Sequence, residues 1–183
     1  MPLSPSAEEQ RRWLALARAS IASVWHPEPL PELMLGDQIV DLFVTLHTDG
    51  ELRGCIGATN NDRPLAESIA YLARQCAFAD PRFPPLTEAE LARSHISISA
   101  LGPKRPLPAS DRAALEADLC PGEGLILKQG GRQAIFLPQV WEGVRSKTAF
   151  VDALMRKGGW HHWSPGMQAQ TFDCLVVQEG LEP

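Results

Sequence analysis

The chain has 183 residues, of which 44% are hydrophobic and 21% charged, the balance of a globular protein with one substantial core. Its net charge is −5 and no cluster of Lys or Arg offsets this locally, so nothing points to nucleic acid as a partner. No apolar run approaches the roughly 18 residues of a membrane span, and Met1-Pro2-Leu3-Ser4-Pro5 lacks the basic and apolar regions of a signal peptide, which predicts a cytoplasmic protein.

Ser6-Ala7-Glu8-Glu9 matches the S-x-x-E capping box, and Trp13, Leu16, Ala17, Ile21 and Val24 follow at helical spacing. The helix has to stop before Pro27, where His26 to Pro31 reads as an extended connector. Asp41 to Leu46 is a strand, nearly all apolar and so predicted to be central, and Asp49-Gly50 is a two-residue hairpin signal that returns the chain through Glu51 to Gly57. Asn60, Asn61 and Asp62 offer N-caps ahead of Pro64, and Leu65, Ile69, Leu72, Ala73 and Cys76 make one face of a second helix.

The prolines of Asp80-Pro81-Arg82-Phe83-Pro84-Pro85 forbid helix and predict a stiff loop. Thr87 to Glu90 is another capping box for a short helix, and His95 to Ala100 alternates as a strand. After the proline-punctuated stretch Lys104 to Ala109, a helix over Ser110 to Leu119 leads to a hairpin whose arms, Leu125 to Gln129 and Arg132 to Leu137, flank Gly130-Gly131. A last helix, Thr148 to Lys157, ends at Gly158-Gly159, and Gln170 to Gln178 is a single closing strand. Hairpin-linked strands with helices between them predict an α+β fold with a mainly antiparallel sheet, as one domain over residues 1–183.

Within the returning strand, Leu52-Arg53-Gly54-Cys55-Ile56-Gly57 breaks strand rules. Two glycines bracket a cysteine, which marks a bulge, a bend or a place where something approaches the backbone closely. In a regular strand Arg53 and Cys55 share a face, so a guanidinium stands beside a thiol and favours its thiolate. The same regular register, however, sets Val44 and Leu46 across from Cys55 and Arg53, which describes a buried structural thiol. Arg53 reads equally as a structural ion pair or as a fork for a carboxylate or phosphate. Gly54 and Gly57 suit a bulge and a tight turn, or a ligand pressed against the backbone. Asp80 and Arg82 read as a mutual pair or a pocket wall, and Phe83 as a plug over the core.

The four cysteines (Cys55, Cys76, Cys120, Cys174) are far apart with no C-x-x-C spacing, so neither a disulfide framework nor a zinc site is signalled. His161-His162 is poor evidence for a metal without a third ligand nearby, and no metal or cofactor is expected. No G-x-S-x-G, P-loop, H-E-x-x-H or dinucleotide fingerprint is present.

The Leu52 to Gly57 hexapeptide following Phe43-Val44-Thr45-Leu46 resembles the hallmark of the AMMECR domain family. Arg63-Pro64-Leu65, Ala77 to Leu86 and Leu137-Pro138-Gln139-Val140-Trp141-Glu142 are similar to the family's other motifs and fall in its order. The resemblance covers nearly the whole chain and implies an α+β domain with an antiparallel sheet and a smaller lobe. Within the family the arrangement is most similar to the bacterial members of AmmeMemoRadiSam systems, which implies a Memo-like protein and a radical S-adenosylmethionine protein as partners. No reaction comes with the family. The chain departs from it at Lys157-Gly158-Gly159-Trp160, where members usually carry Lys-Ala-Gly-Leu.

Two functions follow as expectations. The first is an accessory module that presents the Arg53/Cys55 hairpin and the Asp80 to Pro85 loop, with Gly54, Gly57, Arg82 and Phe83, as one binding surface. The second is an enzyme in which Cys55 is the nucleophile and Arg53 orients an anionic substrate, with Asp80 or His47 carrying the proton.

Overall fold

Two antiparallel four-stranded sheets organise the chain in a computed structural model that describes residues 4–31 and 38–180. Where length and composition predict one core, the buried apolar residues form two clusters, and the chain divides into two compact units. One unit is Leu101–Cys174; the other runs up to Ala100 and resumes at Leu175.

In the unit that includes Ala100, helix α1 (Ala7–Ala22) opens with the expected capping box, in which Ser6 accepts from the Glu9 amide and Glu9 accepts from the Ser6 amide. Its buried stripe is Trp13, Leu16, Ala17, Ser20 and Ile21, whereas Val24 lies past the helix end and is exposed. Strands β1 (Leu42–Thr48) and β2 (Glu51–Ala58) form the hairpin, and Asp49 (φ 53°) and Gly50 (φ 86°) both take the left-handed conformation of a type I′ turn. Helix α2 (Leu65–Phe78) packs on both strands and on α1. Its N-terminus has no side-chain cap: Pro64 occupies the cap position, and Asn61 instead donates to the Val40 carbonyl and the Ser68 hydroxyl, tying the loop down. The short helix α3 (Glu88–Leu91) has its capping box, and β3 (Ser94–Leu101) follows.

β1 is central as expected, the sheet order being β2-β1-β3 and then β8 (Cys174–Gln178). Only one of its faces is fully apolar, however. Leu42, Val44 and Leu46 are completely buried with Ile96, Ile98 and Ala100, while Phe43, Thr45 and His47 on the opposite face are half-buried.

In the Leu101–Cys174 unit the second sheet has the order β4-β7-β5-β6. Its strands are β4 (Arg105–Pro106), β5 (Gly124–Gln129), β6 (Arg132–Phe136) and β7 (Gln168–Phe172). Helix α4 (Arg112–Asp118) is capped by Asp111 and α5 (Lys147–Lys157) by Ser146; a 3-10 helix, Pro138–Gly143, precedes α5. Phe150 of α5 stacks on Trp141 in this core, with ring centroids 4.0 Å apart. The single closing strand expected over Gln170 to Gln178 is broken at Asp173. Alternation of apolar residues runs through the break, but β7 and β8 belong to different sheets.

Candidate functional site

The register of the β1/β2 hairpin decides what the hexapeptide presents. From the turn, Thr48 pairs with Glu51 and His47 with Leu52, as a two-residue loop requires. Leu46 then pairs with Gly54, not Arg53, so Arg53 is an extra residue and the ladder carries a β-bulge. A slip of one residue exchanges the two faces of a strand. Beyond the bulge, Gly54 and Ile56 lie on the face of Leu46 and Val44, and Cys55 lies opposite Thr45 on the other face. The apolar surroundings expected for Cys55 are therefore corrected: its thiol is half-buried and accepts a hydrogen bond from the Thr45 hydroxyl at 3.3 Å.

Gly54 explains its own presence. A Cβ there would lie 2.4 Å from the carbonyl oxygen of Cys76 and 3.0 Å from its sulfur, so the absence of a side chain lets α2 settle on β2. Burial keeps the Cys76 thiol neutral, raising its pKa to about 12, with a smaller contribution from nearby Cys55. Gly57 serves the opposite face: a Cβ would meet the Phe43 ring at 2.2 Å, so the aromatic ring covers the glycine across the ladder.

Arg53 spends its hydrogen bonds away from the thiol. It is 9% exposed, and its Nε and Nη2 donate to the two carboxylate oxygens of Glu90 at 2.8 and 3.3 Å, while Nη2 also donates to the Pro84 carbonyl. Glu90 is at the same time the acceptor of the α3 capping box, bound by the amide and hydroxyl of Thr87. Hydrogen bonding to Arg53, then to Thr87, lowers its pKa to about 2. Arg53 thus ties β2 to the proline loop and to α3, the structural of its two readings.

The cation next to Cys55 is Arg82. Its guanidinium donates to Asp80 through Nε (2.9 Å) and Nη2 (2.7 Å), and Nη2 also donates to the Cys55 carbonyl at 3.3 Å. The Asp80 bonds, and to a smaller degree the Asp80 charge, raise the pKa of Arg82. Asp80 is 4% exposed and accepts two further hydrogen bonds, from the amides of Cys55 (2.9 Å) and Arg82 (3.1 Å). Its pKa is pushed far below the carboxylate range, first by Arg82 and then by the Cys55 amide. A carboxylate held ionised by four donors is a fixed anion and no longer a proton carrier at neutral pH. Phe83 lies between the two arginines, its ring centroid 5.8 Å from the Arg53 guanidinium carbon and 5.4 Å from that of Arg82.

Cys55, Arg53, Gly54, Gly57, Asp80, Arg82 and Phe83 are thus brought together around one strand. Sequence reasoning missed Thr45 and Glu90. Thr45 is found only once the bulge is known; Glu90 was visible as a capping-box residue, and its second bond to Arg53 was not. His47 is half-buried on the face of Thr45. In the other unit, His161 lines a cleft of about 210 Å³ with Asp152, Arg156 and Trp160. Among the described residues no group of three or more His, Cys, Asp or Glu is placed to hold a metal ion, and no helix is long and apolar enough to cross a membrane.

This architecture is shared. The crystal structure of the uncharacterised protein PH0010 from Pyrococcus horikoshii superposes with a TM-score of 0.83, covering 93% of this chain and 91% of that one, and at 24% identity it shows the same fold. Protein Mbar_A1807 of Methanosarcina barkeri is 37% identical over 182 residues, 93% of this chain and 90% of its own length. A protein of Methanothermobacter thermautotrophicus is 34% identical over 143 residues, covering 74% and 73% respectively. The AMMECR1 family model matches residues 14–177, a span that contains the bulged hexapeptide, the proline loop and both sheets: this chain belongs to the AMMECR1 family.

Proposed function

We propose that this protein is a cytoplasmic accessory module that displays the β1/β2 hairpin and the Asp80 to Pro85 loop as one preformed binding surface. Its partners on this reading are a Memo-like protein and a radical S-adenosylmethionine protein, in the manner of AmmeMemoRadiSam system protein A. The observation that carries the reading is the internal satisfaction of the site's charges. Arg53 is taken by Glu90, Arg82 by Asp80, and Asp80 by four donors. Groups neutralised by one another fix a shape without serving acid-base chemistry or receiving an anionic substrate. Beside them the surface exposes Leu52, Pro81, Pro84 and Pro85, apolar groups on rigid backbone that suit a protein partner. The nucleophilic alternative keeps one supporting contact, the Thr45 hydroxyl on the Cys55 sulfur, but gains no base from Asp80 and no anion fork from Arg53.

Co-expression with a tagged Memo-like protein and a radical S-adenosylmethionine protein tests the proposal. Retention that survives Cys55→Ser and is lost in Leu52→Arg is the expected result. No retention with either protein, with or without S-adenosylmethionine, overturns it.

A further inference from the structure

Among the described residues β2 is the outermost strand of its sheet, and an outermost strand offers unpaired backbone groups to any extended chain. In an antiparallel ladder, alternate residues turn both their N–H and their C=O toward the neighbouring strand, and those between turn both away. The Cys55 amide bonds to Asp80 and its carbonyl accepts from Arg82, so Cys55 turns away from β1, and so does Gly57 two residues on.

We infer that Asp80 and Arg82 together act as a guard on this edge, standing in for the missing strand and keeping β2 from pairing with a second copy of this chain. The carboxylate occupies the place of an incoming carbonyl, accepting from the Cys55 N–H at 2.9 Å, and the guanidinium that of an incoming N–H, donating to the Cys55 C=O. The two side chains are bound to each other, so the guard is one unit. It is held in place by the turn that closes with the Phe83 amide on the Asp80 carbonyl (3.1 Å) and by the bond from Leu86 N to the Ala77 carbonyl (2.8 Å). A second copy is the occupant to be kept away because the free edge of β2 in each copy presents the same outward groups, and antiparallel pairing of an edge with itself closes as a symmetric dimer. The inference stands whatever partner binds the surface.

Two measurements on the full chain test it. Amide hydrogen exchange followed by NMR should show the Cys55 N–H exchanging about 100-fold or more slowly than the Gly57 N–H, although both point outward. Asp80→Ala/Arg82→Ala, with Arg82→Ala alone as the milder variant, should raise the sedimentation mass toward that of a dimer of the wild-type species as concentration rises. In the variant, the Gly57 amide should become protected together with the association. Comparable exchange at Cys55 and Gly57 in the wild type overturns the inference, as does a folded variant whose mass follows that of the wild type at every concentration. Should neither variant fold, the wild-type exchange rates decide.

Discussion

The position that a Cβ would take on Gly54 lies 2.4 Å from the carbonyl oxygen of Cys76, so strand and helix meet backbone to backbone. Gly54→Ala has no flexible side chain to push aside and has to move α2. The expected cost is about 3 kcal/mol, the upper end for overpacking, read as a lower urea midpoint at unchanged slope. Gly57→Ala meets a ring instead of backbone, and Phe43→Ala should recover part of its loss in a double-mutant cycle.

Removing the Arg53 guanidinium leaves the Glu90 carboxylate without its main partner beside a nearly buried cavity. Arg53→Ala should therefore destabilise by about 3 kcal/mol. Arg53→Lys restores the charge without the two-pronged fork, so its stability in urea should fall between the two.

Acid should weaken the protein in a defined window. The folded pKa of Glu90 is about 2 against an ordinary 4.5, so the unfolded chain takes up this proton first as pH falls. The stabilisation is complete above about 4.5 and is lost on descending toward 2. Asp80 is displaced in the same direction and adds to the acid side of that loss. Glu90→Gln should flatten the fall in thermal midpoint between those values.

At the alkaline end the sign reverses. Cys76 keeps its proton to about 12 when folded, while the unfolded thiol ionises near 9.0, so its contribution is intact below 9.0 and disappears between the two values. Iodoacetamide at pH 8, read by peptide mass spectrometry, should label exposed Cys120 readily, with Cys76 labelled only after denaturation.

Much of the fold is legible along the chain because it is written in local codes. Ser6 with Glu9 and Thr87 with Glu90 form the capping boxes that their spacing announces, and Asp49-Gly50 makes its turn. The family motifs likewise pointed to the group whose model matches. The glycines of the hexapeptide signal a bulge among other readings, but its place at Arg53 is not a local property: the turn alone sets a regular register, whereas Arg53 bonds to Glu90 and Pro84 and Gly54 packs on Cys76, all distant in sequence. One inserted residue then reassigns every face beyond it, which is why the surroundings of Cys55 were read from the wrong side. The break at Asp173 hides for a similar reason, since β7 and β8 keep one alternation while changing sheets.

That break also shapes how the chain is assembled. The Gly102 amide donates to the Asp173 carbonyl at 2.7 Å, so the segment between them leaves and rejoins the polypeptide at a single point. It carries its own apolar core, and every candidate site residue lies outside it. Leu101–Cys174 is in effect a cassette, inserted into a host that is continuous without it. A short turn joining Ala100 to Leu175 would excise the cassette without removing any candidate site residue, and the same two ends fit it for transplantation into another scaffold.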